Sequence, residues 1–199
     1  MEITNQHVEA VIRDYVERYL AANSSARIVA EALNSLGIGL RPVLDHISIR
    51  TLDVQERARE FEALGFAYDD RLGVIERDEW WAKVYRKPGF PAIYIDQAFL
   101  EARGERSPIP KWVERFSDGQ LHHLAINVDT IEMAISRFQE LGVQFTGQII
   151  GDPGSAFRSI YAEPEMVDGE AFTMLELVER RWGYAGFLST VIADGTTEL

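Results

Sequence analysis

Apolar residues along the chain switch between two spacings, and the switches mark out the elements. Val8, Val11, Ile12, Tyr15, Val16, Tyr19 and Leu20 recur at helical intervals until Asn23-Ser24-Ser25 breaks the pattern. Ser24 or Ser25 can cap a second helix bearing Ile28, Val29, Ala32, Leu33 and Leu36, which Gly37 ends. A loop over 37–42 follows. From Leu44 the pattern predicts a strand over 44–51, a helix over 54–64 and strands near 66–75, 80–86 and 91–96. The series then repeats as a strand over 121–128, a helix over 130–141 and strands near 143–150, 156–162 and 171–178. Pro88-Gly89 and Asp152-Pro153-Gly154 mark turns. The expected organisation is one compact domain: N-terminal helices over 1–40, a module over 41–97, a linker over 98–120 with a short helix, a second module over 121–180 and a tail over 181–199.

The two modules share more than their order of elements. Asp45-His46-Ile47-Ser48-Ile49-Arg50 and His122-His123-Leu124-Ala125-Ile126-Asn127 each open an alternating strand with a histidine. Each following helix stops at Leu-Gly, and both glycines, Gly65 and Gly142, fall 19 residues after His46 and His123. Phe61 and Phe138 each fall 15 residues after their histidine. The pattern predicts an α+β fold of two tandem β-α-β-β-β modules with N-terminal helices. A doubled unit led by histidines points to a metal held between the copies.

Composition removes several classes of function. The chain has 199 residues, 46% of them hydrophobic and 26% charged, the usual make-up of a globular protein. No run of about 18 apolar residues occurs, which argues against a membrane span. The N-terminus lacks the basic and apolar regions of a secretory signal, so a cytoplasmic location is expected. With no cysteine there are no disulfides, thiolate metal sites or cysteine nucleophiles. A net charge of −12 argues against nucleic acid. No Gly-rich phosphate loop occurs, so no organic cofactor is expected. Packing of the N-terminal helices or Trp80-Trp81 on a second copy would give a homo-oligomer, although core packing explains both equally well.

Alternation along a strand puts His46, Ser48 and Arg50 on one face. It aligns His123 with His46 and turns His122 the other way. Glu176 is a single acid within the apolar run Thr173–Val178, and a buried charge there needs a partner. His46, His123 and Glu176 are therefore the candidate metal ligands. Two histidines and a carboxylate suit Fe(II), and the same set also serves Zn. Tyr94 aligns with Glu176 in the other module, with Asp96 two residues on. Arg50 offers a planar fork for a substrate carboxylate, and Arg158 is a second, weaker candidate for substrate contact.

The β-α-β-β-β repeat resembles the vicinal oxygen chelate superfamily, which implies a mixed sheet curving around a metal cleft. More narrowly, Asp45-His46-Ile47-Ser48-Ile49-Arg50-Thr51 resembles the hydroxyglutarate synthase family, also called 2-oxoadipate dioxygenase/decarboxylase. So do the preceding helices, Ala82-Lys83-Val84-Tyr85 and Pro91-Ala92-Ile93-Tyr94-Ile95. The resemblance covers about residues 10–180 and is strongest in the first half. It implies that His46, His123 and Glu176 hold Fe(II) and that Arg50 anchors the substrate carboxylate. The implied activity is oxidative decarboxylation of a 2-oxo acid by O₂, of the type that turns 2-oxoadipate into 2-hydroxyglutarate. The superfamily also contains redox-inactive enzymes, glyoxalases and epimerases, that would use Zn, Mn or Ni. A binding module without turnover is the third reading.

Overall fold

The computed structural model describes residues 4–187. In chain order the helices are α1 (Asn5–Ala22), α2 (Ser24–Ser35), α3 (Val54–Ala63), α4 (Ile109–Phe116) and α5 (Ile131–Glu140). The strands are β1 (Leu44–Arg50), β2 (Ala67–Tyr68), β3 (Ile75–Glu76), β4 (Trp80–Arg86), β5 (Ala92–Ala98), β6 (Leu121–Asn127), β7 (Phe145–Ile150), β8 (Phe157–Ala162), β9 (Met166–Val167), β10 (Glu170–Ala171) and β11 (Met174–Arg180). The two β-α-β-β-β series read from the sequence are both present. Two strands depart most from the expected bounds. The segment over 66–75 is broken because Asp69 turns the chain, its carbonyl accepting from Gly73 N and its carboxylate from Leu72 N. The last long strand starts at Met174, after the small β9–β10 hairpin.

The chain divides into two compact units. Among the described residues, one holds those up to Ala21 together with His46–His123, and the other holds Ala22–Asp45 together with those from Leu124. The first has the strand order β2-β4-β5-β1, with β3 also on β4. β1 and β5 are parallel and the β4 pairings are antiparallel, so the sheet is mixed. Asp53 starts α3 by accepting from Gln55 N and Glu56 N, a cap worth about 1 kcal/mol. Val54 N donates to Gln97 Oε1 at 2.7 Å, which seats the start of α3 on the face of β5 that carries Ile93 and Ile95. Val54, Ala58 and Phe61 of α3 are buried, as are Ile47, Ile49, Ile93 and Ile95. Tyr15 of α1 lays its ring 6.0 Å from that of Phe61. The apolar face is thereby covered, leaving the face of His46 for α4.

In the second unit β11, β8 and β7 run antiparallel, and the Leu124–Asn127 half of β6 continues beside β11. Asn23 caps α2 through Ala26 N, while its amide donates to Thr173 ahead of β11. Asp45 and Arg180 pair through both oxygens at 2.6 and 2.9 Å, which fixes the entry to β1. The repeated Leu-Gly stops have one explanation. Gly65 and Gly142 take positive φ of 85° and 98°, a region in which glycine alone carries no penalty. Phe66 N then reaches Phe61 O, and Val143 N reaches Phe138 O, both at 3.0 Å. Each phenylalanine of the repeat is the residue whose carbonyl closes its helix.

Candidate metal centre

His46 begins the inner face of β1 and His123 the matching face of β6, and both are buried. Their Nε2 atoms lie 3.2 Å apart, with the rings edge to face. Glu176 stands in the middle of β11 and is 3% exposed. One ligand atom from each of these three residues lies within 4.8 Å of the others. Two imidazole nitrogens bound at about 2.0–2.1 Å to one ion, at angles of about 90–110°, lie about 3.0–3.4 Å apart. The histidine pair fits that spacing, and one carboxylate completes a donor set of borderline hardness. The residues present therefore fit a divalent transition-metal ion.

His122 is the immediate neighbour of His123: its Nδ1 lies 3.1 Å from Nδ1 of His123. Both atoms sit close to the backbone, so neighbouring side chains can meet there although their rings diverge. Burial, assisted by the charge of Arg50 and by His123, holds His122 well below the ordinary imidazole range, so it is neutral. Tyr94 is buried with its ring centroid 6.1 Å from that of His46.

Arg50 lies on the His46 face, beside Asp96 in the parallel register of β1 and β5. Its Nε is 3.8 Å from Asp96 Oδ2, and its guanidinium sits 5.4 Å from the ring centre of Trp112. The Trp112 ring in turn meets His122 at 5.6 Å. Asp96 is not among the clustered ligands. Burial pushes its carboxyl up to about 7, against the pull of Arg50. Arg158 is placed elsewhere. Its partner in the register of β8 and β11 is Glu179, so its side chain leaves the sheet on the face opposite Glu176. There it donates to Glu132, Glu179 and the Gly151 carbonyl. Trp112 is the neighbour that sequence reasoning missed, and the signal for it was the amphipathic run 109–116 inside the linker. Asp96, noted as the acid two residues past Tyr94, pairs with Arg50.

No family model matches the chain, and no curated protein does either. Solved structures do match. A Shewanella frigidimarina protein, provisionally described as a hydrolase, aligns with a TM-score of 0.76 at 15% identity, over 95% of this chain and 99% of its own. A Ralstonia eutropha protein, provisionally assigned to the glyoxalase superfamily, gives 0.67 at 11% identity over 88% and 84%. A triple mutant of 4-hydroxymandelate synthase from Streptomyces coelicolor gives 0.52 at 16% identity, over 70% of this chain and 49% of the synthase. The chain shares its fold with these structures. At these identities the likeness establishes the fold and leaves the reaction open. None of these three structures is described as a hydroxyglutarate synthase. Among the described residues, no helix is long and apolar enough to cross a membrane.

Proposed function

We propose that this chain is a divalent-metal-dependent enzyme of the vicinal oxygen chelate type, acting on a small acid that binds the ion through two neighbouring oxygens. The observation that carries this reading is the meeting of three buried ligand atoms, from His46, His123 and Glu176, within 4.8 Å. These residues would hold the ion. When bound, a divalent ion supplies Lewis acidity, which polarises a chelated carbonyl and acidifies the adjacent C–H bond.

We favour a non-redox reaction of the glyoxalase or epimerase kind. The structural likeness to a protein provisionally assigned to the glyoxalase superfamily supports it. A His₂Glu set also suits Zn²⁺, Mn²⁺ or Ni²⁺ as readily as Fe²⁺. The chain's own residues have separate tasks in this reading. His122, held neutral, accepts Nδ1–H from His123 and so keeps the lone pair of His123 on Nε2. Tyr94 covers the ring of His46 and keeps water from that side. Arg50, steadied by Trp112, anchors the far end of the substrate. Oxidative decarboxylation of a 2-oxo acid with Fe(II) and O₂ is the second reading. The three-residue donor set favours it, because the set leaves coordination positions open for both substrate and O₂.

One experiment separates these readings. The protein is loaded anaerobically with Zn²⁺, Mn²⁺, Ni²⁺ or Fe²⁺ and mixed with a panel of 2-oxo acids in D₂O. Deuterium entering at the carbon beside the carbonyl, without O₂ uptake, is the expected result. O₂ consumption and CO₂ release with Fe²⁺ alone would move the assignment to the oxidative reaction. Stoichiometric metal with neither outcome would leave a binding module, and failure to take up any of the four metals would end the metal reading.

A further inference from the structure

The face of β1 and β5 that carries His46 holds two buried polar side chains that the ligand set does not use. Ser48 is fully buried and Asp96 is 4% exposed. Among the described residues, neither Ser48 Oγ nor Asp96 Oδ1 has a hydrogen-bond partner. Such orphans are few in folded proteins, and each calls for an explanation. Ser48 stands beside Tyr94 and Arg50 beside Asp96, so Ser48, Arg50 and Asp96 form a polar strip that starts from His46. The free oxygen of Asp96 is acceptor-only when ionised. Its other oxygen, 3.8 Å from Arg50 Nε, lies well beyond a charge-assisted hydrogen bond. The pair is loose enough to admit a third group.

We propose that Ser48, Arg50 and Asp96 form a subsite for the far end of the chelating substrate, and that this end is a neutral group which both donates and accepts hydrogen bonds, a carboxamide or a hydroxyl. The inference rests on the metal-dependent reading above. Arginine can only donate and the Asp96 carboxylate can only accept. A carboxamide answers both, offering its carbonyl to Arg50 and its NH₂ to Asp96. Ser48, able to do either, would add a hydrogen bond to the same far-end group. A second carboxylate is a poorer fit, because Asp96 already neutralises Arg50 and two carboxylates would then share a buried site. Burial raises the Asp96 carboxyl to about 7, so at pH 8 it is mostly ionised and that repulsion is present. At about 3.3 Å per residue, Arg50 starts roughly 13 Å along β1 from His46, and its side chain spans part of that distance.

Calorimetric titration of the Zn²⁺-reconstituted protein at pH 8 tests the subsite. Three 2-oxo acids with the same six-carbon chain are compared, ending in a methyl, a carboxamide or a carboxylate. The carboxamide is expected to bind at least tenfold tighter than the other two. In Asp96→Asn the carboxylate-ended acid should gain about tenfold, because Arg50 is no longer neutralised. Ser48→Ala should weaken the carboxamide-ended acid severalfold. A cooperative melt reports that each variant is folded, and the wild-type comparison stands without them. Equal binding of all three acids would mean that water alone fills the strip, and it overturns the proposal. A wild-type preference for the carboxylate overturns it too, as does binding of none of the three. Failure to take up Zn²⁺ is seen before any acid is added; it defeats the metal reading itself, and this subsite with it.

Discussion

His123 presents one ring nitrogen to His46 and the other to His122. The two contacts predict different consequences when each neighbour is removed. His46→Ala, His123→Ala and Glu176→Gln should each sharply reduce metal occupancy, measured by elemental analysis after dialysis. His122→Ala should keep the ion under saturating metal, with affinity lowered about tenfold, as expected for a residue that only orients a ligand. Equal loss in all four variants would make His122 a ligand. Arg50→Ala should retain metal yet weaken a chelating acid with a polar far end by about tenfold, and unchanged binding would remove Arg50 from the substrate's path. The clustering of His46, His123 and Glu176 was legible because the histidines fall at matched places in a repeat and the acid interrupts an apolar strand. The partner of Arg50 was not. Asp96 reaches it through the parallel pairing of β1 with β5, 46 residues away in sequence, and no local pattern encodes that register.

At the scale of elements, the helix ends explain why the repeat could be read at all. The spacing from histidine to phenylalanine to glycine is set by the length of a strand, a connection and a helix that closes on a phenylalanine carbonyl. The same closure twice gives the same spacing twice. The linker was harder, because α4 is only eight residues long, and its importance lies in what Trp112 touches. The start of α5 rests on a buried acid from another element: Ile131 N donates to Glu179 Oε2 at 3.0 Å, and Arg158 Nη1 donates to the same oxygen at 3.2 Å. Glu179→Ala would take one of two carboxylates from the buried guanidinium of Arg158 and uncap the helix. Urea unfolding is expected to show a loss of about 1–3 kcal/mol. Arg158 keeps Glu132 as a partner, so a loss well under 1 kcal/mol would mean that Glu132 alone suffices.

At the scale of the whole molecule, the acid-rich chain (net charge −12) should not behave simply as a protein that acid unfolds. Asp96 has a carboxyl raised from 3.8 to about 7, so between those values the folded state keeps a proton that the unfolded chain releases. Its contribution is full below about pH 4 and is lost as pH rises through 7. For ion-free protein, urea titrations should show stability falling from pH 5 to pH 8 by on the order of 1–3 kcal/mol. That fall should be missing from Asp96→Asn; the same fall in the variant would assign it to another group. The division of the chain carries a further consequence. The continuous stretch of the first unit begins at His46 and ends at His123. An ion gripping both would tie together residues 77 apart in the sequence. Such a site is lost when the chain unfolds, so an ion bound there would favour the folded state, and the metal that serves the chemistry would also decide how readily this protein comes apart.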